Sequence, residues 1–193
     1  MRTGKLMSIV VVISFLSMGS LLLFPEGEGS TTRAGGSEEG KTLWEAETPF
    51  KGTAAIDGVA MGDADTARAG NELVWVSRDQ KVYLGQYDNS GSFSYQDIWD
   101  SGGQQLTPAI GNLRDDLPGN EILVVGLSSG TEDVDPGDGT ATVLSKSGTG
   151  WSAERAFTDE KLIHGCDIGD IDPTIDGEEA IIVTFSFKAY MIW

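Results

Sequence analysis

The apolar and polar positions of residues 42–193 predict short β-strands and no helix. Three nearly continuous apolar runs, at residues 72–77, 121–127 and 179–185, are typical of strands covered on both faces. Other segments around them are also predicted strands: residues 42–50, 58–61, 81–87, 93–100, 108–110, 141–145, 151–159, 165–168 and 189–193. No helical period is sustained in this range, so the sequence predicts an all-β fold.

One unit recurs three times in the same range. In each copy a glycine is followed by a second glycine eight residues later and by a glutamate ten residues later, at Gly62, Gly70 and Glu72, at Gly111, Gly119 and Glu121, and at Gly169, Gly177 and Glu179. The first glycine recurs after 49 and then 58 residues, a period typical of solenoids and propeller blades. Four strands per copy predict β-propeller blades, grouped as residues 42–90, 91–150 and 151–193.

Three blades are fewer than the roughly four to eight of a closed propeller. The sequence therefore predicts a partial or truncated propeller, an open stack of three blades, or self-association that completes the ring. An open stack would leave strand edges and a blade face exposed, which natural proteins usually avoid.

The N-terminal segment predicts export. Arg2 and Lys5 precede an apolar run at residues 6–24, which is expected to form a hydrophobic helix. Its 19 residues are long enough for a membrane anchor, whereas its interrupting serines favour a cleaved signal peptide, and both alternatives stay open for residues 1–24. Residues 25–41 are rich in Gly, Ser and Glu and are expected to form a flexible linker. The rest of the chain is expected outside the cytoplasmic membrane, secreted or anchored.

Composition narrows the classes of function. Among 193 residues, 13 Lys and Arg stand against 30 Asp and Glu, and the formal charge of −17 argues against nucleic acid as a partner. Cys166 and His164 are the single residues of their kinds, so disulfide frameworks and multi-histidine metal sites are excluded. Little room is left for histidine-based catalysis, and no catalytic residue is predicted.

The motif Gly-Asp-x-Asp-x-x-x-x-Gly-x-Glu at residues 62–72, with its copies, resembles the repeats of the FG-GAP/VCBS family. The resemblance covers residues 42–193 and implies a β-propeller of the extracellular and cell-surface kind that includes the integrin α-subunit head. Members of that family serve adhesion, scaffolding and carbohydrate-linked roles. Their Asp-rich loops commonly hold calcium, so the resemblance implies calcium as a cofactor here.

Calcium prefers several carboxylate oxygens on a tight turn that contains glycine. Two of the three repeated loops offer such oxygens, and the predicted metal ligands are Asp63, Asp65, Glu72, Asp170, Asp172, Asp176 and Glu179. The middle loop departs from the pattern because Asn112 and the cationic Arg114 take the first two positions. The alternative is a metal-free turn in which Asp and Asn accept backbone N–H bonds within the turn, and the recurring Glu accepts backbone N–H bonds from a neighbouring strand.

Other positions are candidates of lower rank. Residues 131–140 form an acidic insertion that is either a ligand-facing loop or a solvated hairpin tip. Asp167 takes the place of Ala60 and Ala109 in the other copies, and a structural partner is expected for it. Cys166 is expected to be a small buried hydrophobic residue.

The expected function is an exported, non-catalytic repeat module for binding, adhesion or scaffolding at the cell surface, with a protein or carbohydrate partner. The alternative is a fragment of a larger propeller enzyme that acts on polysaccharide. Convergent catalytic side chains would favour the enzyme.

Overall fold

The computed structural model describes Thr48, residues 51–52, 54–133 and 137–193. In these residues the regular structure is entirely β, with no helix, which confirms the predicted all-β class. The described part of the chain accordingly holds no helix long and apolar enough to cross a membrane. The predicted N-terminal helix and linker, and the predicted strand 42–50 apart from Thr48, lie outside the described residues.

The strands form three antiparallel sheets in which chain neighbours pair with one another. The first sheet contains β1 (Ile56–Gly62), β2 (Glu72–Ser77), β3 (Lys81–Tyr87) and β4 (Phe93–Asp100). The second contains β5 (Gln105–Gly111), β6 (Glu121–Leu127), β7 (Gly139–Ser147) and β8 (Gly150–Asp159). The third contains β9 (Ile163–Gly169), β10 (Glu179–Thr184) and β11 (Ala189–Ile192).

The grouping of strands differs from the sequence prediction at two places. Residues 93–100 and 151–159 were expected to begin the second and third units, but as β4 and β8 they are the outermost strands of the first and second sheets. The reason is visible in the turn before β4. The Asp88 carboxylate accepts the backbone N–H groups of Ser90 and Ser92 at 2.8 and 2.9 Å, so the chain reverses at once and runs back along β3.

The second sheet packs between the other two. One apolar cluster joins it to the first sheet through residues such as Val74, Leu84 and Ile122, all essentially inaccessible to solvent. A second cluster joins it to the third sheet through residues such as Leu123 and Ile182. Successive side chains of β6 point to opposite faces of the sheet, and both faces are covered by an apolar cluster. This burial explains why β6 is a continuous apolar run.

The three sheets use equivalent residues in the same way. Gly62, Gly111 and Gly169 each end the first strand of a sheet, and each pairs with the glutamate that begins the second strand. Residues separated by the sequence spacings of 49 and 58 therefore occupy corresponding places in the three sheets, and we call them equivalent residues.

Candidate functional site

Three loops of the same conformation join the first two strands of each sheet. We name them loop one (63–71), loop two (112–120) and loop three (170–178). Each contains a tight turn closed by a backbone hydrogen bond of 2.8 to 3.1 Å, from residues 68, 117 and 175 to residues 65, 114 and 172. Each also has a glycine near its end, Gly70, Gly119 or Gly177, with φ between 97° and 109°. Only glycine adopts that backbone conformation without strain.

A buried glutamate holds every loop at its beginning. Oε2 of Glu72 accepts the backbone N–H groups of Ala64 and Asp65 at 2.9 and 3.1 Å. Glu121 does the same for residues 113 and 114 at 3.0 and 3.1 Å, and Glu179 for residues 171 and 172 at 2.8 and 3.0 Å. We call this arrangement the glutamate clamp. It satisfies two loop amides with one carboxylate and ties each loop to the first residue of a core strand.

The glutamates of the clamp are buried, and burying a carboxylate costs free energy. The three glutamates are at most 2% exposed. Burial raises the pKa of Glu121 above its ordinary value, although the amides of Leu113 and Arg114 act in the opposite direction. The second oxygen, Oε1, of Glu72 and Glu179 is buried without a hydrogen-bond partner among the described residues. Hydrogen bonds to the loop therefore carry the stabilisation that offsets the buried charge.

In loop one, Asp65 is paired with cationic side chains of the protein itself. Lys146 Nζ on β7 lies 2.8 Å from Asp65 Oδ2, and Arg68 Nε lies 3.5 Å from the same oxygen. Burial opposes ionisation of Asp65, but the hydrogen bonds from Lys146 and from the Ala67 amide, with both cationic charges, outweigh it. The pKa of Asp65 consequently lies below its ordinary value. An ammonium group of the protein is thus paired with Asp65, which the sequence analysis predicted as a calcium ligand.

The predicted ligands of loop three are arranged differently. Asp172 accepts the Thr174 backbone N–H and hydroxyl at 3.0 and 2.6 Å, and these bonds lower its pKa. Asp170 and Asp176 are exposed, and Glu179 is the clamp. In loop two the equivalent position is Arg114, which binds Asp116 through two nitrogens, at 3.0 and 2.8 Å. Each loop therefore uses this position for a different side-chain contact.

The predicted metal ligands do not converge in the described residues. No group of three or more His, Cys, Asp or Glu side chains is placed there to hold a metal ion. Asp63 is exposed, Asp65 is paired with Lys146, and Glu72 and Glu179 face loop amides. Calcium at these loops stays a prediction of the sequence.

The loops contact one another in series and form a single surface, which we name the loop ridge. Asn120 Nδ2 of loop two donates to the backbone oxygen of Asp63 in loop one at 2.8 Å. Glu178 of loop three bonds Asn112 of loop two twice, because its amide donates to the Asn112 oxygen at 3.0 Å and its carboxylate accepts the Asn112 amide at 2.6 Å. Exposed acids project from the ridge: Asp63, Asp115, Asp116, Asp170 and Asp176.

Sequence reasoning missed two kinds of residue at this surface. Lys146 is 81 residues from Asp65, and no local pattern links them. Asn120 and Glu178 follow the second glycine of their copies, as Asn71 does in the first, and this recurring polar residue was a usable signal. Its role is a contact between loops of different sheets, which depends on how the sheets pack.

The lower-ranked candidates have structural contacts. Asp167 is exposed, and its carboxylate accepts the Ile168 amide at 3.0 Å. The Cys166 thiol donates to the Thr107 oxygen at 3.4 Å, and burial raises its pKa. The His164 ring packs on Phe185 with 4.6 Å between centroids. Of the insertion 131–140, the described residues 131–133 and 137–140 include the exposed Glu132, Asp133 and Asp138.

Comparison with protein-family models, with curated proteins and with solved structures finds no match to this chain. The resemblance to FG-GAP/VCBS repeats therefore stays a prediction made from the motif.

Proposed function

We propose that this chain is an exported, non-catalytic module of the β-propeller type that binds a partner at the cell surface through the loop ridge. The observation that carries the proposal is the glutamate clamp, which recurs at all three loops with the same two amides. A rigid scaffold that presents loops in a fixed arrangement is the usual basis of a binding surface.

The propeller reading has support in how the sheets are stacked. Each is an antiparallel meander, and the first strands β1, β5 and β9 lie beside one another in that order. Each connection from an outermost strand to the next first strand is short, four residues after β4 and three after β8. Consecutive antiparallel sheets whose first strands lie next to one another are expected of propeller blades, which are arranged around a central channel.

The chemistry of the ridge indicates the kind of partner. Its exposed charged groups are mainly carboxylates, with Arg68 as the exposed cation among them, and the chain as a whole carries a charge of −17. Such a surface attracts a protein with clustered Lys or Arg side chains, and this attraction falls as ionic strength rises. We therefore propose a basic protein surface as the partner.

Photo-crosslinking in intact cells tests this function. A photoreactive amino acid replaces Asp176 on the ridge of the full chain, and a matched variant carries it at Asp100, an exposed acid at the end of β4. We expect discrete crosslinked products from position 176 and none from position 100. Protease added outside the cells should degrade these products. Equal products from both positions, products only from position 100, none from either, or products that outside protease does not reach would contradict the proposal.

We further propose that calcium binds at loop three and not at loop one, because Lys146 already neutralises Asp65 in loop one. We expect millimolar calcium to raise the melting temperature, since an ion that binds only the folded state stabilises it. Replacing Asp170 and Asp172 by Asn should remove the response, whereas replacing Asp115 and Asp116 in loop two, an equal change of charge, should keep it. Identical melting curves in calcium and chelator at matched ionic strength would show that the loops are metal-free.

A further inference from the structure

The contacts between neighbouring sheets repeat at two junctions, and the two outer faces of the stack carry the matching halves of a third. The first junction lies between the first and second sheets, and the second lies between the second and third. The outer faces are the side of the first sheet that faces away from the second, and the corresponding side of the third.

An apolar side chain meets a glycine at both junctions. A Cβ atom added to Gly62 would lie 3.1 Å from Ile110 Cγ2, and one added to Gly111 would lie 2.3 Å from Ile168 Cγ2. Ile110 and Ile168 are equivalent residues, and each packs in the core cluster of its junction. Glycine is needed at these positions because the next sheet approaches so closely.

The outer faces carry both halves of this contact separately. Met61, the equivalent of Ile110 and Ile168, is 74% exposed on β1, and its neighbour Val59 is 56% exposed. Gly169, the equivalent of Gly62 and Gly111, is open, because an added Cβ would have no heavy atom of the described chain within 4 Å. One face therefore has the apolar side chain, and the other has the space for it.

The polar contacts between loops show the same pattern. Asn120 reaches the backbone oxygen of Asp63 at the first junction, and Glu178 reaches that of Asn112 at the second. The equivalent residue in loop one is Asn71, and the equivalent oxygen in loop three belongs to Asp170. Both residues are exposed.

We propose that a second copy of this chain covers these faces, with Met61 of each copy seated at Gly169 of the other and Asn71 facing Asp170. The contact is head-to-tail, and it forms twice, so two copies of the three described sheets give a ring of six, within the range of roughly four to eight that propellers adopt. The inference rests on the propeller reading given under the proposed function. A second copy fits because each face reproduces one half of a junction that the chain already forms with itself.

One charged side chain opposes the contact. Cys166 and Ile168 pack towards the second sheet, so Asp167 between them points to the outer face, where the other sheets have Ala60 and Ala109. Replacing Asp167 by Ala makes this face match its equivalents. Association should therefore become tighter in that variant, because no carboxylate is desolvated at the contact.

Sedimentation equilibrium of the full chain in mild detergent tests the proposal. We expect twice the mass of the 20.5 kDa chain after correction for detergent. Gly169→Leu should fold normally, since the single chain leaves space there, but it fills the space for Met61. The dissociation constant should rise about tenfold at each contact and about a hundredfold for the dimer. Ala153→Leu adds bulk at an exposed position of β8 and should leave the mass unchanged.

Disulfide trapping distinguishes this dimer from association through the N-terminal segment. The double variant Asn71→Cys with Asp170→Cys should give a covalent dimer on a denaturing, non-reducing gel, and each single variant should give a monomer. A monomeric wild-type chain, or a Gly169→Leu variant that dimerises as tightly as wild type, would overturn the proposal. So would equal trapping in the single and double variants. Crosslinking from position 176 in cells is read separately, so a failed dimer and a failed binding function are distinguishable.

Discussion

Replacement of Glu72 by alanine is expected to lower the free energy of unfolding by about 2–5 kcal/mol. Two loop amides, of Ala64 and Asp65, lose their acceptor in a place that water reaches poorly. A buried N–H group left without a partner costs about 1–3 kcal/mol, and here two are affected by one substitution. Chemical denaturation of wild type and variant measures the difference.

Two matched variants show whether the clamp is the cause. Glu72→Gln keeps an acceptor oxygen for the amides and should cost clearly less than alanine. Gln86→Ala removes a side chain that donates to the Ala69 oxygen of the same loop at an exposed position, so its effect should stay within about 0.5 kcal/mol. Equal stability of Glu72→Ala and Gln86→Ala would show that the clamp does not hold the loop.

Replacement of Lys146 by methionine is expected to cost about 2–4 kcal/mol at neutral pH. Asp65 has 2% of its side chain exposed and, among the described residues, would keep Arg68, at 3.5 Å, as its cationic neighbour. Breaking a buried ion pair on one side is strongly destabilising because it leaves the other charge uncompensated. The double variant Lys146→Met with Asp65→Asn removes both charges and should recover part of the loss. A double variant no more stable than Lys146→Met would contradict this cause.

The pH dependence follows from the pKa of Asp65, which is lowered from 3.8 in the folded chain. An acid with a depressed pKa contributes stability above its unfolded pKa and loses it as pH falls through the folded pKa. The difference between wild type and Lys146→Met should therefore be full at pH 7 and should narrow below about pH 4. A difference that stays constant from pH 7 to pH 3 would mean that lost side-chain packing on Trp151, whose ring centroid lies 5.3 Å from Lys146 Nζ, is the cause.

The strands could be predicted from the sequence because the alternation and runs of apolar residues that indicate a strand are local. Residues 72–77, 81–87, 93–100 and 121–127 are strands with the predicted limits, and the repeat of Gly and Glu located all three loops. Assignment of 93–100 to the second unit was wrong, because the sheet to which an edge strand belongs depends on the preceding turn at Asp88.

The side-chain contacts of the loops could be predicted only in part. The spacing showed that Glu72, Glu121 and Glu179 have one role, and acceptance of backbone N–H groups was one of two alternatives. The donors were expected from a neighbouring strand, whereas they lie at the start of the same loop. The pairing of Lys146 with Asp65 depends on how two sheets pack, and periodicity along one chain contains no such information.

Amide hydrogen exchange tests the central claim most directly, namely that buried glutamates hold three loops as one rigid ridge. The measurement follows the six clamped amides, those of Ala64, Asp65, Leu113, Arg114, Ile171 and Asp172. We predict that they exchange as slowly as amides of the central strands β2, β6 and β10, and that Glu72→Ala releases the first two selectively. Exchange of all six at the rate of an unprotected peptide would contradict the account.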